Sequence, residues 1–339
     1  MGTFLLKPET CFPRLEIFND ESMMKILGLE NSRKLRVLFK KSDINKKYSL
    51  YNFDEKTLNE SMADICFGAI SKLLEKNNIA EEDIDCVIAC YNSNDEQLPG
   101  LSSRLFERFN FKKGIHNYPL FGLGCGAFIG AINLSKHLLL DDSIKNILIV
   151  CCEAQTQLYD KNIDPNNDSV LMGLTLFGDG ASAAIVTRDT YLGKNKHEII
   201  DVKVATSYSN SMSMKNDIVY LDDMLLENIS PHIYELVRDL LNENNIEISD
   251  IKHWIIHSGG KKILEGVKKL FNLTETQMLP SRQSYRDHGN VSCASVPIAL
   301  NKLYALSEDG LYEKKHNDLG IILGFGSGFF LGATLVRYL

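Results

Sequence analysis

The sequence has no membrane-length apolar run: nowhere in its 339 residues do apolar side chains continue for the roughly 18 positions that a spanning helix takes. Its N-terminus, MGTFLLKPETCFPRLEIFND, lacks the apolar h-region of a secretory signal. The expectation is a cytoplasmic protein that does not engage membranes. Basic blocks are missing too. Lys and Arg number 37 against 44 Asp and Glu, a formal charge of −7, which argues against a nucleic-acid surface. A phosphate-bearing ligand would need local lysines. The eight cysteines, at 11, 66, 86, 90, 125, 151, 152 and 293, show no CxxC pairing, so they read as thiols in a reducing compartment, most of them small core residues. No HExxH or cysteine–histidine cluster is present, and no metal is expected. The glycine segments GDG at 178–180 and GFGSG at 324–328 lack the GxGxxG and GxxxxGK[ST] spacings, and read as tight turns shaping a cavity.

What is present is ordinary globular composition, 44% hydrophobic and 24% charged, in a chain longer than one compact core usually holds. Residues 61–77 place Met62, Ile65, Cys66, Ala69, Leu73 and Leu74 at helical spacing, and DCVIACY (85–91) follows as a buried strand. The theme continues with a helix near 99–109, a strand at NYPLF, a helix at 126–140 and strands at NILIVCCE and SAAIVTR. After a polar stretch at 188–198 come a strand at 199–207, a helix at 230–243, the strand KHWIIH, helices at 261–271 and 295–306, and strands at LGIILGF and FFLGATLVR. This alternation predicts a layered α/β fold. The second half repeats the first half's order in outline, without obvious identity, and no low-complexity linker divides them.

Three residues stand where chemistry is favoured. Cys125, in FGLGCGAFIGAINLSKHLL, sits at a strand-to-helix turn, where small neighbours admit a carbonyl and a helix N-terminus favours thiolate. Its plainer reading is a small core residue beside a glycine turn. His257 ends the strand HWIIHSGG, and the C-terminal end of a strand in an α/β sheet faces the ligand crevice. It also reads as a satisfied histidine at a helix entry, and His253 in the same strand competes with it, although His253 belongs at the far end. Asn290, in RDHGNVSCASVPIAL, has the signature of an ordinary helix cap.

Taken together, the segments LGCGAFIGAINLSKHLL, VCCEA, LFGDGASAAIV, HSGGKKILEGVKKLF, HGNVSCASVPIAL and GFGSG resemble, in this order, the nucleophile, core, cyclisation-loop, histidine, asparagine and C-terminal glycine segments of type III polyketide synthases, in the thiolase superfamily. The resemblance runs from about residue 35 to the C-terminus. Ketoacyl synthase III enzymes also use Cys, His and Asn; LPGLSSRL (98–105) and LMGLTLFGDGA (171–181) favour the type III branch. HSGG and GFGSG depart from that branch's usual His-Pro-Gly-Gly and GFGPG. HSGGKK followed by DHGN is similar to the bacterial 3,5-dihydroxyphenylacetyl-CoA synthase branch.

The resemblance implies a thiolase-like fold of two similar αβαβα halves packed as five layers, with residues 1–195 carrying the nucleophile and 196–339 carrying histidine and asparagine. It implies an acyltransferase that adds malonyl-CoA units, by decarboxylative Claisen condensation, to an acyl-CoA starter loaded on Cys125. His257 would pair with Cys125 as imidazolium with thiolate, and His257 and Asn290 would donate to the malonyl thioester oxygen. Phe177 matches a gatekeeper between CoA tunnel and cavity, and Leu98 a residue reaching across a homodimer interface; both also read as core residues. Lys41, Lys46 and Lys47 match a basic segment that meets CoA phosphates, or form a solvated loop. No cofactor beyond CoA thioesters is implied. The competing function is a single condensation with an acyl carrier protein, and a third is a pseudoenzyme subunit, against which the retained triad speaks.

Overall fold

The computed structural model describes residues 2–339 apart from 161–163, 165, 210, 216, 217 and 223. Ten strands form one mixed sheet: β1 Phe4–Leu6, β2 Glu9–Cys11, β3 Cys86–Tyr91, β4 His116–Phe121, β5 Asn146–Glu153, β6 Gly180–Thr187, β7 Lys196–Thr206, β8 Ile251–Ile256, β9 Leu319–Gly326 and β10 Phe330–Tyr338. Their order is β8-β9-β10-β7-β1-β6-β5-β3-β4, with β2 paired to β6. β3 runs parallel to β4 and β5, and β8 parallel to β9. The helices that matter here are α1 Arg33–Ser42, α2 Met62–Asn77, α3 Ala127–Leu138, α4 Asp168–Leu176, α5 Leu225–Glu243, α6 Lys261–Leu270, α7 Glu275–His288 and α8 Ser295–Glu308.

Side-chain alternation along the strands builds the layers. In β3, Cys86, Ile88 and Cys90 pack with Phe128 and Ile132 of α3 and Val296 and Leu300 of α8. Val87, Ala89 and Tyr91 turn the other way, toward Ile65, Ala69 and Leu73 of α2. In β9, Ile322 joins the α3–α8 cluster, whereas Ile321, Leu323 and Phe325 join Ile233, Leu236 and Val237 of α5. Helices α3 and α8 therefore lie between two regions of sheet, with α2 outside one and α5 outside the other. This is the five-layered α/β arrangement the resemblance implies. Burial of each such apolar chain stabilises by roughly 1.5–3 kcal/mol.

Several helix boundaries depart from expectation. The helix foreseen near 99–109 is only a turn, Leu101–Arg104, followed by a 3-10 turn at Leu105–Glu107. Helix α5 begins at Leu225 and holds Pro231 within it; proline removes one backbone donor and so reads as a start in sequence. Helix α7 has no apolar stripe and contains Pro280. Its anchors are tertiary: Met278 and Tyr285 are buried, and the Ser281 hydroxyl accepts the Ile256 N–H of β8 at 2.9 Å. That helix delivers the chain to Asn290.

Candidate active site

The candidate side chains Cys125, His257 and Asn290 gather beyond the C-terminal ends of the parallel strands, where an α/β sheet leaves its crevice. Cys125 lies in the turn Gly124–Gly126 between β4 and α3. Gly124 has φ +60°, and a Cβ there would stand 2.6 Å from the Ser327 nitrogen. A Cβ on Gly326 would likewise meet the Cys125 nitrogen at 2.7 Å. The LGCG and GFGSG turns thus touch backbone to backbone, which only glycine allows.

Asn92, just past β3, fixes the Gly124–Gly126 turn from the other side. Its carbonyl oxygen accepts the Gly124 N–H at 3.0 Å, and its amide donates to the Gly124 carbonyl at 3.3 Å. The same amide donates to Glu153 at 2.7 Å. Glu153, fully buried at the end of β5, also accepts from the Ser93 hydroxyl at 2.7 Å and the Gln155 amide at 3.2 Å. A buried carboxylate is tolerated when its lone pairs are filled in this way.

The thiol of Cys125 donates to the Ser292 hydroxyl at 3.5 Å. The Ser292 N–H donates to the Asn290 side-chain oxygen at 2.8 Å, and the Asn290 amide donates to the Gly259 carbonyl at 3.4 Å, two residues past His257. His257 follows β8, its N–H bonded to the Leu323 carbonyl at 2.9 Å, and its ring stands edge-on to Phe325. Its Nδ1 is buried with no hydrogen-bond partner among the described residues. The structure thus links all three segments through one contact chain. His253 sits at the opposite end of β8, held by Asp318 at 2.9 Å and Tyr312 at 3.1 Å.

Burial pushes the Cys125 thiol up to about 12 and the His257 imidazole down to about 3. Desolvation disfavours whichever form is charged, so it moves an acid and a base in opposite directions. Both shifts favour the neutral forms and run against the expected standing thiolate–imidazolium pair.

Phe177 ends α4 and forms a one-rung parallel bridge with Asn290; both are buried. Leu98 is 89% exposed in this chain. The three lysines separate. Lys41 is exposed, and Lys46 pairs with Glu16 at 2.6 Å. Lys47 is 1% exposed, its ammonium bonded to the Leu174 and Thr175 carbonyls, and burial lowers it to about 7. A lysine so enclosed offers no charge to a phosphate at the surface, which corrects its expected role. Cations from other segments instead surround a cavity of about 200 Å³ at the start of α6, lined by Asp43, Lys261, Glu265, Arg282, Tyr285 and Arg286.

Sequence reasoning missed Asn92, Glu153 and Ser292. Glu153 carried a signal, a lone carboxylate ending an apolar strand; Ser292 carried its closeness to Asn290; Asn92 carried none. Among the described residues no group of three or more His, Cys, Asp or Glu is placed to hold a metal, and no helix is long and apolar enough to cross a membrane.

Two family models match this chain. One, described as FAE1/Type III polyketide synthase-like protein, covers residues 44–218; the other, the C-terminal domain of chalcone and stilbene synthases, covers 206–339. Among curated proteins, the beta-ketoacyl-[acyl-carrier-protein] synthase III of Rickettsia prowazekii is 27% identical over 291 residues, spanning 82% of this chain and 85% of its own length. The enzyme of the same name from Campylobacter jejuni RM1221 is 28% identical over 301 residues, 83% of this chain and 84% of its own.

Proposed function

We propose, from the premise that this chain belongs to the family of FAE1/Type III polyketide synthase-like proteins and is a decarboxylating condensing enzyme, an acyltransferase of the thiolase superfamily, that it extends a Cys125-bound acyl group iteratively with malonyl-CoA. The observation that carries the reading is the contact chain Cys125–Ser292–Asn290–Gly259, which sets a nucleophile, an amide donor and the His257 turn around one buried point.

In the loading step the Cys125 proton passes to His257 as sulfur attacks the starter thioester. The carbon–sulfur bond to CoA breaks, and CoA leaves with the proton. Burial favours the neutral thiol and imidazole, so in this reading proton transfer is part of the attack, a general-base step. In the extension step malonyl-CoA loses carbon dioxide, and the electron pair left behind forms an enolate. Donors from His257 and Asn290 stabilise its oxygen. The Asn290–Gly259 bond of 3.4 Å is long, so the amide is oriented yet readily given up to substrate. The enolate carbon then attacks the acyl carbonyl, and sulfur leaves as thiolate, which takes up one proton from solvent before the next loading. A dry site strengthens each of these interactions.

Iteration is supported by the type III description of the matching model and by Phe177 standing beside Asn290, where a side chain would bound the growing product. The working unit in this reading is a homodimer: Leu98 is exposed, and the turn after it packs on the edge strand β4, whose Phe121 is 59% exposed. The cavity beside α6 carries Lys261, Arg282 and Arg286, and CoA phosphates would bind there by displacing the carboxylates of Asp43, Glu265 and Glu275 that pair with these cations.

A second reading, one condensation using an acyl carrier protein, is favoured by the names of the curated relatives. Mass spectrometry of products from malonyl-CoA alone, malonyl-CoA with acyl-CoA starters, and malonyl carrier protein separates the two. Products of two or more extensions from CoA substrates support iteration; a single extension that requires the carrier protein rejects it.

A further inference from the structure

Lys47 is buried, yet it touches none of the reacting groups. Its side chain passes between the two turns that carry Phe177 and Asn290. A Cβ on Gly178 would stand 3.1 Å from the Lys47 Cβ, and one on Gly289 would stand 3.0 Å from its Cδ. The stem thus occupies the space that both glycines leave open. The ammonium then donates to the Leu174 carbonyl and, at 3.2 Å, to that of Thr175, in the last turn of α4. There the unpaired carbonyls and the helix dipole favour a cation.

The turns so braced are bonded to each other. Asn290 donates its N–H to the Leu176 carbonyl at 2.8 Å, and Gly178 donates to the Asn290 carbonyl at 3.1 Å. The backbone around Lys47 is fastened to both. Asn45 donates to the Arg286 carbonyl at 2.8 Å in α7, and Asp179 donates to the Tyr48 carbonyl at 2.8 Å. The brace meets the Cys125 turn through Ser292, whose N–H donates to the Asn290 side chain at 2.8 Å and whose hydroxyl accepts from the Cys125 thiol and the Asn92 amide, whereas the backbone of that turn is held by Asn92 and by the GFGSG segment.

We propose that Lys47 is a positioning residue for the Asn290 turn, required for the decarboxylation step and dispensable for loading of Cys125. The inference rests on the condensing reading of the site. It predicts a split between two half-reactions, because displacing a donor by about 1 Å is enough to cost roughly 100-fold in rate.

The test compares wild type with Lys47→Met, which keeps the length of the stem and removes its donors. Two rates are read: carbon dioxide release from malonyl-CoA, and transfer of an acyl group from acyl-CoA to Cys125, followed by mass spectrometry of the Cys125 peptide. Wild type must first show carbon dioxide release with malonyl-CoA or malonyl carrier protein; if it shows neither, the condensing reading has failed and not this inference. Given release, we expect Lys47→Met to lower kcat for it about 10- to 100-fold with KM little changed, while Cys125 loading stays within twofold. Equal falls in both rates, or no fall in either, would overturn the proposal. Should Lys47→Met yield no folded protein, the same two rates are read on Lys47→Gln, which retains an amide donor. A loss confined to release again supports the role, and a parallel loss or none rejects it.

Discussion

Phe177 and Asn290, far apart in sequence, lie side by side in a single parallel bridge. The side chain expected to bound the cavity and the amide expected to stabilise the enolate therefore hang on one shared piece of backbone. A change of shape at Phe177 that preserves this bridge should alter the product more than the chemistry. Phe177→Leu keeps the backbone bonds and shortens the side chain. The expected outcome, from malonyl-CoA with an acyl-CoA starter, is a shifted product-length distribution with Cys125 loading within about twofold of wild type, as befits an interaction outside the loading step. An unchanged distribution would remove Phe177 from the cavity neck.

The two donors should separate from the nucleophile in the same assay. Cys125→Ala abolishes acyl-enzyme while leaving carbon dioxide release measurable. His257→Ala and Asn290→Ala should each slow release by about 10²–10³, the usual cost of one oxyanion donor. Only His257→Ala should also slow loading, since Asn290 takes no proton. Loading that survives His257→Ala undiminished would reject His257 as the base.

Because burial holds the thiol up to about 12, alkylation of Cys125 should lack a plateau near neutrality. Below its pKa the thiolate fraction grows tenfold per pH unit. Iodoacetamide labelling of the Cys125 peptide should therefore climb by roughly that factor per unit between pH 7 and 9. A rate already flat at pH 6 would restore the standing thiolate–imidazolium pair.

Ser292 is buried against the Cys125 thiol in the left-handed region, at φ 46°. Such a conformation in a non-glycine residue costs about 1–3 kcal/mol. Ser292→Gly should relieve it, raising the unfolding midpoint, and at the same time remove the thiol's acceptor and slow loading. Ser292→Ala should slow loading without the gain in stability. Equal midpoints for the two variants would refute the strain.

Acid should weaken the fold through its histidines. Burial lowers His197, His257 and His288 each to about 3. Above the unfolded value, near 6.5, all three are neutral in both states and their contribution to stability is complete. As pH falls below that value, the unfolded chain takes up protons that the folded chain refuses, and the contribution is lost progressively until about pH 3. The slope approaches about 1.4 kcal/mol per pH unit for each histidine. Urea unfolding at pH 7, 5.5 and 4.5 measures it, and a midpoint unchanged across that range would contradict the burial of these rings as neutral groups.

Local sequence sufficed wherever a residue's environment is set by its near neighbours. The continuous apolar run Cys86–Tyr91 and the helical spacing of 61–77 marked β3 and α2, because a strand buried on both faces is apolar throughout and the face of a helix follows from its repeat. Glycines around Cys125 marked a turn that the chain cannot make otherwise, and the position of His257 after an apolar strand put it at the crevice. Tertiary structure decided the rest. Helix α7, polar and interrupted by Pro280, opens on a local capping box of Thr274 and Gln277, but it is held in place by contacts with β8 and α8 that no local pattern displays. Lys47 reads in sequence as one more cation of FKKSDINKKY, yet it is buried because Gly178 and Gly289, brought together only by folding, leave room for its stem. The setting of Cys125 and His257 was decided in the same way: a helix N-terminus argues for thiolate, but how much water remains around each group depends on packing between distant segments, and that packing pushes the thiol up and the imidazole down.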